Sequence, residues 1–120
     1  MKIAVSSEGS RLESRVDPRF GRAKYFVLYD VDTGETSSHD NAQNLNAPQD
    51  AGIQAAQTVA RLGAETVLTG HVGPKAFTTL QAANIVVYIG ATGTVREAIH
   101  QYTEGQLQLA AKANVEGHWM

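Results

Sequence analysis

Three apolar runs, Ile3-Ala4-Val5, Thr66-Val67-Leu68-Thr69 and Ile85-Val86-Val87-Tyr88-Ile89, constrain the fold of this chain more than any other feature. Each is too short for a helix, and each is closed by turn-forming residues: Ser6, Ser7 and Gly9, then Gly70 and Gly73, then Gly90 and Gly93. Runs of that kind read as buried strands. Helical patterns fall between and after them. Ile53, Ala56, Val59 and Ala60 set a helical period that Gly63 stops, and a second helix runs from Pro74, a residue suited to a first turn, to about Ala83. Thr94-x-x-Glu97 is a capping box that opens a third helix carrying Val95, Ala98, Ile99 and Tyr102. Tyr25 to Tyr29 and Glu35 to His39, joined through Asp32-Thr33-Gly34, form a hairpin.

The order β, loop, β-hairpin, α, β, α, β, α predicts one α/β domain over residues 1–120. Its sheet is mixed and five-stranded, the hairpin is an antiparallel edge, and helices lie on both faces in three α/β/α layers. Ser10 to Arg22, with sparse apolar residues, Pro18 and Gly21, reads as a long loop, as does the polar stretch from Asn41 to Gln49. Gln106 to Leu109 alternates like a short strand outside that count, and residues 110–120 read as a flexible tail.

Composition narrows the function classes. The net charge of −2 offers no global field for nucleic acid or an acidic membrane. The absence of cysteine removes disulfides, thiolate ligands and a thiol nucleophile together. The first apolar run is too short for a signal-peptide core or a membrane span, so a cytoplasmic protein is expected. His39, His100 and His118 lack zinc-site spacing, and no Gly-x-Ser-x-Gly elbow surrounds Ser6 or Ser7. The expectation is a binding protein that is not an enzyme.

Residues 11–24 break the overall charge pattern. They hold five of the ten Lys and Arg against two acids, a local balance of +3 in a net-negative chain. Arg11, Arg15, Arg19 and Arg22 recur every three or four positions, with Pro18 and Gly21 to fix the turn. Two readings fit: a solvated surface paired with Glu13 and Asp17, or guanidinium groups converging on an anion. In the second case, one anion charge about 4 Å from one cation gains roughly 4 kcal/mol at an effective dielectric of ~20, before desolvation.

Two strand-to-helix turns share the edge where open α/β sheets bind ligands. Gly70-His71-Val72-Gly73-Pro74-Lys75 precedes the second helix, whose free N–H groups and positive dipole end suit an anion, although the Walker A spacing is absent. His71 is the candidate metal or cluster ligand, against the alternative of a loop histidine with no ligand. Gly90-Ala91-Thr92-Gly93 is the second turn, a backbone-lined wall or simple turn geometry.

Met1 to Ser6, Ser14-Arg15-Val16-Asp17-Pro18-Arg19-Phe20-Gly21-Arg22-Ala23, Gly70 to Phe77 and the ending Glu116-Gly117-His118-Trp119 frame almost the whole chain. In that order they resemble the dinitrogenase iron-molybdenum cofactor biosynthesis family, small proteins with a ribonuclease H-like fold that include carriers of nitrogenase cofactors and of a molybdenum-copper sulfide. The resemblance implies that the basic loop, with Phe20 and Gly21, joins the Gly70 to Phe77 turn in one pocket. The pocket's cargo would be a molybdenum-containing metal-sulfur cluster or its precursor, and a cluster-accepting protein would be a partner. Where the nitrogenase carriers commonly place a histidine before Phe-Gly, this chain has Arg19. That departure favours charge-based holding, as of a molybdenum-copper sulfide, over ligation of the iron-molybdenum cofactor. A nuclease is disfavoured, because neither Lys2 to Val5 nor Thr66 to Thr69 carries the carboxylates that two-metal chemistry needs. A module that binds a small anion or a partner protein without carrying a cluster stays open.

Overall fold

Burial along its whole length after Lys2 makes β1 (Lys2–Ser7) the centre of the sheet. Side chains alternate across a strand, so Ile3 and Val5 enter one core cluster and Ala4 the other. The computed structural model describes residues 1–41 and 51–110. On one side β1 pairs antiparallel with β2 (Tyr25–Asp30), and β2 pairs antiparallel with β3 (Thr36–Asp40). On the other side it pairs parallel with β4 (Thr66–Leu68), which pairs parallel with β5 (Val86–Ile89). The expected loop from Asn41 to Gln49 falls, beyond Asn41, outside the described residues. So do His118, the ending Glu116 to Trp119 and, beyond Ala110, the expected tail.

The sheet has six strands in the order β3-β2-β1-β4-β5-β6, which corrects the expectation of five. β6 (Gln108–Leu109) pairs antiparallel with β5, and the next residue, Ala110, donates its N–H to Val87 O at 2.9 Å. Two exposed residues carry no buried periodicity. The strand exists through its backbone bonds, which side-chain pattern does not report.

Helices cover both faces. α1 (Ala51–Arg61) and α2 (Pro74–Ala82) place Ala55, Ala56, Val59, Ala76, Phe77 and Leu80 against Ala4, Phe26, Leu28, Val67 and Val87. α3 (Val95–Thr103) places Val95 and Ala98 against Ile3, Val5, Val27 and Leu68 on the other face. Fully burying the Val, Leu, Ile and Phe side chains among these stabilises by about 1.5–3 kcal/mol each.

The helix ends follow the local chemistry. Thr94 Oγ1 accepts from Glu97 N at 3.1 Å while Glu97 Oε1 accepts from Thr94 N at 2.8 Å, which completes the capping box of α3. α2 begins with Gly73 as its N-cap and Pro74 in its first turn, and no side chain caps it. No helix among the described residues is long and apolar enough to cross a membrane.

Candidate functional site

β1, β4 and β5 run parallel, so their C-terminal ends share one edge, and residues 8–23 lie across it. Backbone bonds hold this irregular segment in place. Asp17 N donates to Ser6 O at 2.9 Å and Glu8 N to Arg15 O at 2.9 Å, above the end of β1. Val16 N donates to Gly93 O and Val95 N to Ser14 O, both at 2.8 Å, which ties the loop to the start of α3. His71 N donates to Pro18 O at 2.7 Å and Phe20 N to His71 O at 3.3 Å, which ties it to the turn before α2. The turns join each other as well, for Gly90 N donates to Gly70 O at 3.2 Å.

Two glycines permit this closeness. A Cβ on Gly70 would lie 2.8 Å from Pro18 Cα and 2.9 Å from Pro18 O, both backbone atoms. A Cβ on Gly21 would lie 3.0 Å from Gly52 Cα, at the start of α1. The loop is therefore seated on close glycine contacts at Pro18 and Gly21. Beneath it, Ser6 Oγ donates to the Asp17 carbonyl at 2.7 Å and pairs with Thr69 Oγ1 at 2.8 Å, all in buried residues.

The resulting ledge gathers most of the residues singled out from sequence. Arg15 bridges to Thr94 and Arg19 to His71, and Arg15, Arg19, His71 and Lys75 are all exposed. Arg22 is partly exposed on the same segment. The positive end of α2, without a side-chain cap at Gly73, adjoins them. Gly73 and Gly90 face open space, where a Cβ would meet nothing within 4 Å.

The other expected members stand elsewhere. Phe20 is 1% exposed and packs against Phe26 with ring centroids 5.2 Å apart; it anchors the loop to the core and does not face the ledge. Gly70 is covered by Pro18. Arg11 lines a cleft of about 400 Å³ with Glu13, Thr36, Ser38 and Arg96. In that cleft Arg96 Nη2 donates to Glu13 Oε2 at 2.8 Å, and this bond holds the Glu13 carboxyl below its ordinary range, with Arg11 adding a smaller pull. Gly93 contributes its carbonyl to Val16 and lies against Glu97 of the capping box.

Asp17 was not singled out from sequence as part of the site. It is buried, and its Oδ1 accepts from Arg19 N at 3.0 Å and lies 3.6 Å from Arg19 Nε. The available signal was the Asp-Pro dipeptide, which favours turn initiation. Among the described residues no three His, Cys, Asp or Glu side chains group as a metal site. The arrangement suits a ligand held by charge and backbone donors.

A family model described as dinitrogenase iron-molybdenum cofactor matches residues 1–105. The apo form of the orange protein from Desulfovibrio gigas superposes with a TM-score of 0.92 and 46% identity, covering 95% of this chain and 96% of that one. A NifB-like protein of Thermotoga superposes with a TM-score of 0.80 and 36% identity, covering 90% of this chain and 91% of that one. The Methanocaldococcus jannaschii protein MJ0580 is 29% identical over 110 residues, 90% of each chain.

Proposed function

The chain belongs to the dinitrogenase iron-molybdenum cofactor family, and from that premise we propose that it carries an anionic molybdenum-containing metal-sulfur cluster, or its precursor, on this ledge. The cargo class includes a molybdenum-copper sulfide. The protein performs no reaction on it and passes it to an accepting protein in the cytoplasm. A ribonuclease H-like fold belongs to this reading without nuclease chemistry, since β1 and β4 carry no carboxylate.

One observation carries the proposal: backbone bonds from His71 N to Pro18 O and from Val16 N to Gly93 O bring an arginine-bearing loop onto the starts of α2 and α3. Guanidinium groups present several N–H donors in a fixed fork, and a helix N-terminus adds backbone donors and a partial positive charge. Arg15, Arg19 and Lys75 bind, with His71 at the rim as a side chain able to ligate a metal directly. Because these groups are exposed, their attraction is screened by salt, and release to an acceptor needs no covalent step.

Protein expressed with molybdate and copper and purified anaerobically under reducing conditions should contain molybdenum, with charge-transfer absorption in the visible. The Arg15→Gln, Arg19→Gln, Arg22→Gln variant should fold and remain colourless. Equal metal content in the variant refutes the ledge as the site. Metal-free wild-type protein would favour a module that binds a partner without cargo.

A further inference from the structure

We infer that Asp17 is a positioning residue that presents the Arg19 guanidinium to the ligand. This inference rests on the carrier reading and deepens it. Asp17 is 4% exposed, a costly place for a carboxylate unless its oxygens are engaged. Its backbone is held from below: Asp17 N donates to Ser6 O, and the Asp17 carbonyl accepts from Ser6 Oγ at 2.7 Å. The carboxylate therefore sits on a fixed base rather than on a free loop.

Among the described residues, Asp17 Oδ1 meets one residue in two ways. Arg19 N donates to it at 3.0 Å, closing a turn across Pro18, and Arg19 Nε approaches to 3.6 Å. The second distance is that of an ion pair and is too long for a good hydrogen bond. It draws the inner nitrogen of the guanidinium towards the protein while the side chain stays 67% exposed. The Nη end of the fork is left for an anion, which its N–H groups can grip bidentately. An arginine already restrained loses less rotamer freedom on binding than one that starts free.

Charge alone predicts the opposite sign. If Asp17 acted only as a nearby negative charge, removing it would strengthen anion binding. A positioning role predicts weakening, confined to the contribution of Arg19.

Asp17→Asn keeps an oxygen for Arg19 N and removes the charge facing Nε. In ligand-free protein labelled with nitrogen-15, the Arg19 Nε–Hε resonance should stand apart from free arginine and collapse towards it in Asp17→Asn, while the backbone amide spectrum elsewhere is kept. Titrated with tetrathiomolybdate, Asp17→Asn should bind about fivefold more weakly, the size expected for immobilising one long side chain on binding. In an Arg19→Gln background, Asp17→Asn should have no further effect.

An unchanged Arg19 resonance, a gain in affinity, or the same loss in the Arg19→Gln background overturns the inference. Should Asp17→Asn unfold, Arg19→Lys gives the same decision, because it keeps the charge and removes Nε: affinity equal to wild type overturns the role. A wild-type protein that binds no tetrathiomolybdate overturns the carrier reading, and the ligand-free resonance still decides Asp17.

Discussion

Replacing Gly70 by alanine perturbs the contact on which the ledge is built. The new Cβ would stand 2.8 Å from Pro18 Cα and 2.9 Å from Pro18 O, and neither atom belongs to a flexible side chain that could swing away. The loop must lift, or the turn at Gly70 must recede from Pro18. Overpacking of this kind costs about 1–3 kcal/mol. Lifting Pro18 also strains the 2.7 Å bond from His71 N, worth about 1 kcal/mol more if it is lost. The expected destabilisation is thus about 2–4 kcal/mol. Urea unfolding followed by circular dichroism measures it, with an unchanged m-value showing that the folded state keeps its extent. Displacement of the loop should also weaken tetrathiomolybdate binding, because this contact region joins Arg19 to His71. A Gly70→Ala protein as stable as wild type, with unaltered binding, would refute the seating of the loop on this turn.

Other perturbations separate core, cap and charge. Phe20→Ala should cost about 3–5 kcal/mol in urea unfolding, as a buried core aromatic, which a surface ligand contact would not. Thr94→Ala removes the side-chain half of the α3 capping box and should cost about 0.5–2 kcal/mol, measured as a lower thermal midpoint. Glu13 has a folded-state pKa depressed below its ordinary value of 4.5 by the Arg96 hydrogen bond, so its contribution is present above pH 4.5 and is lost as pH falls through the depressed value. Urea midpoints of wild type and Glu13→Gln should therefore differ at neutral pH and converge in acid, the difference at neutral pH being small for so exposed a pair.

Much of the architecture is legible in the residues because local chemistry and tertiary packing agree there. The capping box at Thr94 and Glu97, the stop at Gly63 and the hairpin around Gly34 are all realised. The alternation of Gln106 to Leu109 pointed to a short strand, and β6 (Gln108–Leu109) lies within it, but two exposed residues were too little signal to count it in the sheet. That the two glycine turns share one edge was readable from the strand order, and the family resemblance implied that the basic loop joins the Gly70 turn, but the fate of each arginine was not legible. Spacing of three or four suggested one concavity for Arg11 and its successors. Leu12 instead packs into the cluster on the α3 face and carries Arg11 away beside Glu13 and Arg96. Asp17 reads as a solvated turn residue in sequence, and only the bonds to Ser6 from below show why it is buried.

The central claim is that charge on this ledge holds the cargo. Titrating metal-free protein anaerobically with tetrathiomolybdate and copper(I) at low and high salt tests it directly, with the Arg15→Gln, Arg19→Gln double variant alongside. Affinity should fall as salt shortens the Debye length from about 30 Å at 0.01 M to about 3 Å at 1 M, and the variant should bind weakly with a shallower dependence. Binding that ignores salt and survives in the variant would contradict it.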